Sequence, residues 1–199
     1  MNFNHNWGRL DLDSTQVFVT NYTWDVPFGP GHRLLASGVA SALLRGWQLN
    51  GVMTVETGLP FNFSCSCTSN TPGNGDSPSL TGAWNVLHGI NTQSWFDTSV
   101  FAQPAANTFG NAGIYAYSGP HLFNLDAGLS RQIRLSERVG LEFRTEWFSA
   151  TNTPQFGLPG GSFGSSSFGK ITSTLQAGSA VQEAYGGNRV IDFGMKIRF

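Results

Sequence analysis

Apolar and polar residues alternate with a period of two along five stretches of this chain. That is the spacing of a strand whose two faces meet different surroundings. The clearest stretch is the last, residues 189–199. There Ile191, Phe193, Met195, Ile197 and Phe199 share one face, while Asp192, Gly194, Lys196 and Arg198 share the other. From Gly46 to Thr57, Trp47, Leu49, Gly51, Met53 and Val55 oppose Gln48, Asn50, Thr54 and Glu56. From His121 to Arg134, Phe123, Leu125, Ala127, Leu129 and Ile133 oppose Asn124, Asp126, Ser130 and Gln132, with Arg131 an exception on the apolar side. From Arg138 to Ser149, Val139, Leu141, Phe143, Thr145 and Trp147 oppose Glu142, Arg144 and Glu146. The stretch from Thr15 to Val26 alternates less cleanly, with Phe18, Thr20, Tyr22, Trp24 and Val26 on one side.

Length gives these patterns their meaning, because a tilted strand needs about 9–11 residues to cross a bilayer. The reading is an all-β protein. It is an antiparallel meander of five membrane-length strands, at about 15–26, 46–57, 121–134, 138–149 and 189–199, forming part of a transmembrane β-barrel over residues 1–199. Leu135-Ser136-Glu137 reads as a tight hairpin. The long links, about 58–120 and 150–188, are rich in Gly, Asn, Pro and Ser. Bacterial barrels keep short turns on the periplasmic side and long loops outside. The hairpin is therefore expected in the periplasm and the long links outside the cell. The link from Pro27 to Arg45 is long for a periplasmic turn, and Leu34 to Leu44 is expected to form a short helix there. This orientation puts Trp24, Trp47 and Phe199 at the periplasmic rim and Trp147 near the outer rim, an aromatic girdle.

Composition agrees with this class. Only 12% of the 199 residues are charged, 13% are aromatic, and 25 are Gly. The formal net charge of −1 gives no reason to expect nucleic acid as a partner. No apolar run is long enough for a membrane-spanning helix. The opening residues Met1 to Trp7 carry neither a basic segment nor an apolar one, so they do not read as an export signal. The expectation is a C-terminal portion of a longer polypeptide, located in the bacterial outer membrane.

Several stretches resemble the C-terminal barrel of TonB-dependent outer-membrane receptors, in the Oar-like group with a carboxypeptidase-regulatory-like domain. They are Gly46-Trp47-Gln48-Leu49-Asn50-Gly51-Val52 with Thr57-Gly58-Leu59-Pro60-Phe61, and Trp95-Phe96-Asp97-Thr98-Ser99-Val100-Phe101. Phe109-Gly110-Asn111-Ala112-Gly113, Asn124-Leu125-Asp126 and the run from Phe143 to Gly157 follow in the family's order. The resemblance implies a plugged barrel of about 22 strands. It also implies active uptake of an unidentified ligand, with energy delivered by the TonB complex through an N-terminal region not contained in these residues. The partners it implies are outer-membrane lipid, the upstream plug and remaining barrel of the same polypeptide, and the barrel assembly machinery. Phe193, Met195, Ile197 and Phe199 would then be the C-terminal signal that this machinery reads.

No residue pattern calls for catalysis, and no cofactor is expected. His5, His32, His88 and His121 share no motif spacing, and the Gly160-Gly161 and Gly186-Gly187 pairs lack the strand–helix context of a nucleotide cradle. Cys65-Ser66-Cys67 has no partners at metal-site spacing, so no metal is expected, and a loop disulfide or pairing with the missing part of the polypeptide is the preferred reading. Asp126, Glu142, Arg144, Glu146, Asp192, Lys196 and Arg198 fall on the inward parity. They read as a wall of mutually paired lumen charges ahead of direct ligand contacts. Trp84, Trp95, Phe96, Phe101 and Tyr115 read as self-packing loop aromatics ahead of a ligand platform. Two other classes compete with the receptor reading. One is a complete small barrel with a structural or adhesive role, which needs Pro60–Cys65, Thr108–Tyr117 and Phe168–Leu175 as extra strands. The other is a soluble β-sandwich binding module.

Overall fold

The structure is a computed structural model that describes residues 7–28, 37–67, 77–87, 92–175 and 188–199. In chain order its elements are β1 (Val17–Asp25), helix α1 (Val39–Leu44), β2 (Trp47–Glu56), β3 (Pro60–Phe61), β4 (Ser64–Cys65) and β5 (Ser79–Leu80). A 3-10 turn (Thr98–Val100), β6 (Phe101–Ala102), β7 (Tyr117–Ser118), β8 (Leu122–Arg134), β9 (Gly140–Phe148), β10 (Ser162–Phe163) and β11 (Val190–Arg198) follow. His5, His32, His88 and the Gly186-Gly187 pair lie outside the described residues.

The five long strands form one sheet in the order β1-β2-β8-β9-β11, which is their order along the chain. β9 pairs antiparallel with both β8 and β11. Two-sided strands joined in sequence make a meander, because each new strand finds its pairing edge on the strand just completed. The β8–β9 turn is closed by Ser136, whose hydroxyl accepts from the backbone N–H of Val139 at 3.1 Å. At the other end of β9 the chain turns through Ser149 (φ 49°) and Asn152 (φ 51°), both in the left-handed region. Ser149 tolerates this because its N–H donates to Asp126 Oδ1 at 2.8 Å and its hydroxyl to Asn124 Oδ1 at 3.1 Å.

The chain divides into two compact units, a sheet unit (18–55, 123–154, 183–199) and a loop unit (1–17, 56–122, 155–182). In the loop unit the strands are two-residue pairs: β3 with β7, β5 with β6, and β4 with β10. Ladders this short do not hold a fold, so packing must. Phe61, Phe63, Trp95, Phe96, Phe101, Ala112, Tyr117 and Ile171 form its buried core, with Trp84 and Phe168 packed against it. Most of the rings meet edge-on or tilted, as at Phe63–Phe101, whose centroids are 4.5 Å apart, while Phe61 and Phe96 are stacked.

The partition of residues in the sheet unit is the reverse. Its buried side chains are the polar ones of Ser41, Thr54, Asn124, Thr145 and Ser149, while Phe193 and Met195 are 73% and 71% exposed. The buried apolar side chains of the described residues all belong to the loop unit. A water-soluble sheet would hide its aromatic face. Pro60–Cys65, Thr108–Tyr117 and Phe168–Leu175, the extra strands of the small-barrel alternative, contribute no strand to the five-stranded sheet.

Candidate functional site

The register sorts the sheet into chemically distinct rows. Phe193 lies opposite Thr145, Met195 opposite Phe143, Ile197 opposite Leu141 and Ile191 opposite Trp147. The same β9 residues face Leu129, Arg131, Ile133 and Ala127 on β8. One side of the sheet is thus apolar across three strands, Arg131 and Thr145 excepted. On the other side Asp192 lies opposite Glu146, Gly194 opposite Arg144 and Lys196 opposite Glu142. That side continues through Gly128, Ser130 and Gln132 on β8. Period-two alternation with matching register yields two such faces, because side chains directly opposite one another project to the same side.

The polar side carries the candidate functional surface. A hollow of about 330 Å³ is lined there by Thr23, Gln48, Asn50, Ser130, Arg144 and Glu146, among others. A second, of about 740 Å³, lies at the end bearing the β8–β9 turn and includes Asp25, Gln132, Arg134, Glu142 and Arg198. Arg198 Nη2 is 2.6 Å from Glu142 Oε2, and Arg144 Nη2 is 3.1 Å from Glu146 Oε1. Gln48 Nε2 donates to Asp25 Oδ1 at 2.9 Å, tying β1 to β2 on this face. Gly128 leaves the room that the Asn50 side chain occupies. Of the seven charges that sequence parity places in a lumen, Asp126 has another task, capping the Ser149 turn. Asp192 and Lys196 form no ion pair among the described residues. A face of this kind offers charges and amide side chains to polar solutes. No group of three or more His, Cys, Asp or Glu side chains able to hold a metal occurs among the described residues.

Arg131, the exception on the apolar face, is accounted for by backbone that sequence spacing does not reveal. Its guanidinium donates to the carbonyls of Leu43 (2.6 Å) and Ala42 (2.5 Å) at the end of α1. It also lies 5.6 Å from the centre of the Trp47 ring. Trp47 in turn donates its Nε1–H to Leu43 O at 3.0 Å and meets Phe143 edge-on at 6.0 Å. The final carbonyls of a helix lack partners within it, and a cation there is favoured. The expected helix over Leu34 to Leu44 is observed as Val39–Leu44, with residues 34–36 outside the described set. Of the four predicted girdle aromatics, Trp24 and Phe199 are exposed, whereas Trp47 and Trp147 are partly covered.

In the loop unit, Trp84, Trp95, Phe96 and Phe101 belong to the packed cluster and Tyr115 does not. Burial pushes the Tyr117 phenol above its ordinary 10.0, opposed in part by a hydrogen bond with the Gly113 backbone. Asp97 caps the Thr98–Val100 turn by accepting from Ser99 N (2.9 Å) and Ser99 Oγ (2.7 Å). Those two bonds, the hydroxyl's first, hold its carboxyl below the ordinary 3.8. The run from Trp95 to Phe101 thus sets buried Trp95, Phe96 and Phe101 on either side of a capped turn. Cys65 and Cys67 are joined as a disulfide. Arg9, absent from the sequence expectations, ties the chain before β1 to Tyr115 O (3.2 Å) and Ser118 Oγ (2.9 Å).

A family model for the outer membrane beta barrel domain matches residues 1–191. No curated protein and no solved structure matches the chain.

Proposed function

The chain belongs to the outer membrane beta barrel domain family and is a protein of the bacterial outer membrane; on that premise we propose that it is barrel wall and ligand-facing loop of a TonB-dependent receptor. The observation that carries this reading is the inverted partition of the sheet unit, apolar and exposed on one face, charged and hollowed on the other. The apolar face suits hydrocarbon and the polar face suits a lumen wall. The Oar-like motifs from Gly46 to Gly157 support the finer assignment.

β1 and β11 are the end strands of the sheet, each with one partner. An open strand edge is untenable in lipid. The remaining strands of a barrel of about 22 close it in this reading, and a plug fills the lumen. The short β8–β9 turn faces the periplasm in this reading, and the long links, about 58–120 and 150–188, face outside the cell. Uptake draws on the TonB complex through the N-terminal region of the same polypeptide. The charged face passes the ligand and performs no covalent chemistry.

The test is titration of the purified full-length protein with the C-terminal domain of TonB. Saturable binding that strengthens when the receptor is loaded supports the assignment. Absence of binding by a folded protein, or a closed barrel of about eight strands on imaging, retires it.

A further inference from the structure

Three features of the sheet unit meet at one rim and have no part in uptake: α1, Trp47 and Arg131. Helix α1 is six residues long, with Ser41 its buried residue. At 100° per residue Val39 and Leu43 lie on the side away from Ser41, and they are 79% and 62% exposed. A short helix with its apolar side turned outward is unfavourable in water. Its place on the sheet says what covers that side. The helix is held by Arg131 and Trp47, and Trp47 rests on Phe143. The register puts Arg131 and Phe143 in the row of Met195, on the apolar face. Helix α1 therefore continues the lipid-contacting surface at the end where Trp24 and Trp47 sit, and Arg45, exposed, follows it.

We propose that α1 is an interfacial foot, lying in the headgroup region of the phospholipid leaflet with Val39 and Leu43 among the upper acyl carbons. Arg131 holds it there by occupying the carbonyls at the helix end. Such helices bury their apolar side about 5–10 Å into the boundary between headgroups and chains. Arg45 stands where a headgroup phosphate lies. Which leaflet is involved rests on the orientation proposed above; contact with lipid rests on the two faces of the sheet alone. Failure to bind TonB would leave this placement intact.

The experiment uses the full-length protein in vesicles of phosphatidylethanolamine and phosphatidylglycerol. Nitroxides are placed by Val39→Cys and Leu43→Cys, with Ile197→Cys as the hydrocarbon reference and Glu137→Cys as the aqueous one. The expected result is greater collision with oxygen than with a water-soluble nickel chelate at 39 and 43, at depths between the two references. Nickel access equal to that at 137 puts the helix in water and overturns the proposal. Exclusion of both reagents puts it under protein and does the same. Unlabelled protein gives an independent reading with a phosphatidylethanolamine that carries a photoreactive group near its headgroup. Adducts on the peptide 37–45 are expected; adducts confined to strand peptides overturn the proposal even if a labelled variant fails to assemble.

Discussion

Arg198 reaches past Gly140, its own register partner, to set Nη2 2.6 Å from Oε2 of Glu142, the register partner of Lys196. The carboxylate thus pairs with the diagonal cation of β11 and not with its own register partner, an arrangement that antiparallel pairing makes available. The arginine side chain is 58% exposed, so solvent screens the attraction. Glu142→Gln is expected to cost less than about 1 kcal/mol of barrel stability. Urea unfolding in detergent measures it, and the loss should shrink as salt is raised. A loss that salt does not touch would mean the pair is shielded from water.

Asp97 provides a prediction about acid. Its folded carboxyl lies below 3.8 because Ser99 donates to it twice. A depressed carboxylate stabilises above its unfolded pKa, and that contribution is lost as pH falls through the folded value. The Thr98–Val100 turn is therefore expected to keep its cap at neutral pH and lose it only under pH 3.8. Ser99→Ala should move the carboxyl midpoint upward, as read by NMR titration. An unchanged midpoint would remove the hydroxyl from the account.

Phe96 is fully buried in the loop unit and packs against Phe61, Phe63, Trp84, Phe101 and Phe168. Truncation to Ala removes a ring from the centre of that cluster, a change worth about 3–5 kcal/mol. Residues 56–122 should become susceptible to limited proteolysis, while β8, β9 and β11 keep their hydrogen-exchange protection. Loss of protection in both units together would show that they unfold as one.

The long strands were legible in the sequence because period two over nine or more residues admits no helical reading, and observed β9 and β11 differ from expectation by a residue or two at each end. The loop unit was not legible in the same way. Its strands are two residues long, and its core draws on positions from Phe61 to Ile171 with no period among them. Parity put Asp126 on the polar side of β8 and said nothing of its bond to Ser149 N–H, which forms where Ser149 turns into the left-handed region. Arg131 read as an exception for a related reason. Its partners are main-chain carbonyls 88 and 89 residues away, invisible to side-chain patterning.

Thr145 keeps the apolar parity that the sequence gives it, yet it is polar and unpaired. It sits in the row of Phe193 and Leu129 and is 4% exposed, and its hydroxyl has no hydrogen-bond partner among the described residues. A buried unpaired hydroxyl costs about 1–3 kcal/mol, which an apolar group of the same shape avoids. Thr145→Val is expected to raise the denaturation midpoint. A lowered midpoint would reveal a partner for the hydroxyl.

The two faces of β11 can be compared directly, two adjacent positions at a time. Phe193 is 73% exposed on the apolar side, with its ring 6.5 Å from that of Phe143. Phe193→Arg would place a charge in hydrocarbon near mid-strand, at a cost of about 2–4 kcal/mol at the bilayer midplane. Gly194 projects to the other side, where an added Cβ would be 3.6 Å from the aliphatic stem of Arg144, ordinary van der Waals contact. Gly194→Glu introduces a charge of sign opposite to Arg144 into a solvated wall, and assembly should survive it. The readout is the fraction of full-length protein that reaches the outer membrane in heat-modifiable, folded form. Phe193→Arg should reduce that fraction sharply and Gly194→Glu should leave it near wild type. Equal losses at both positions would mean that β11 does not separate lipid from lumen, and the assignment of the whole sheet would fall with it, since Met195 and Lys196 are assigned by the same register.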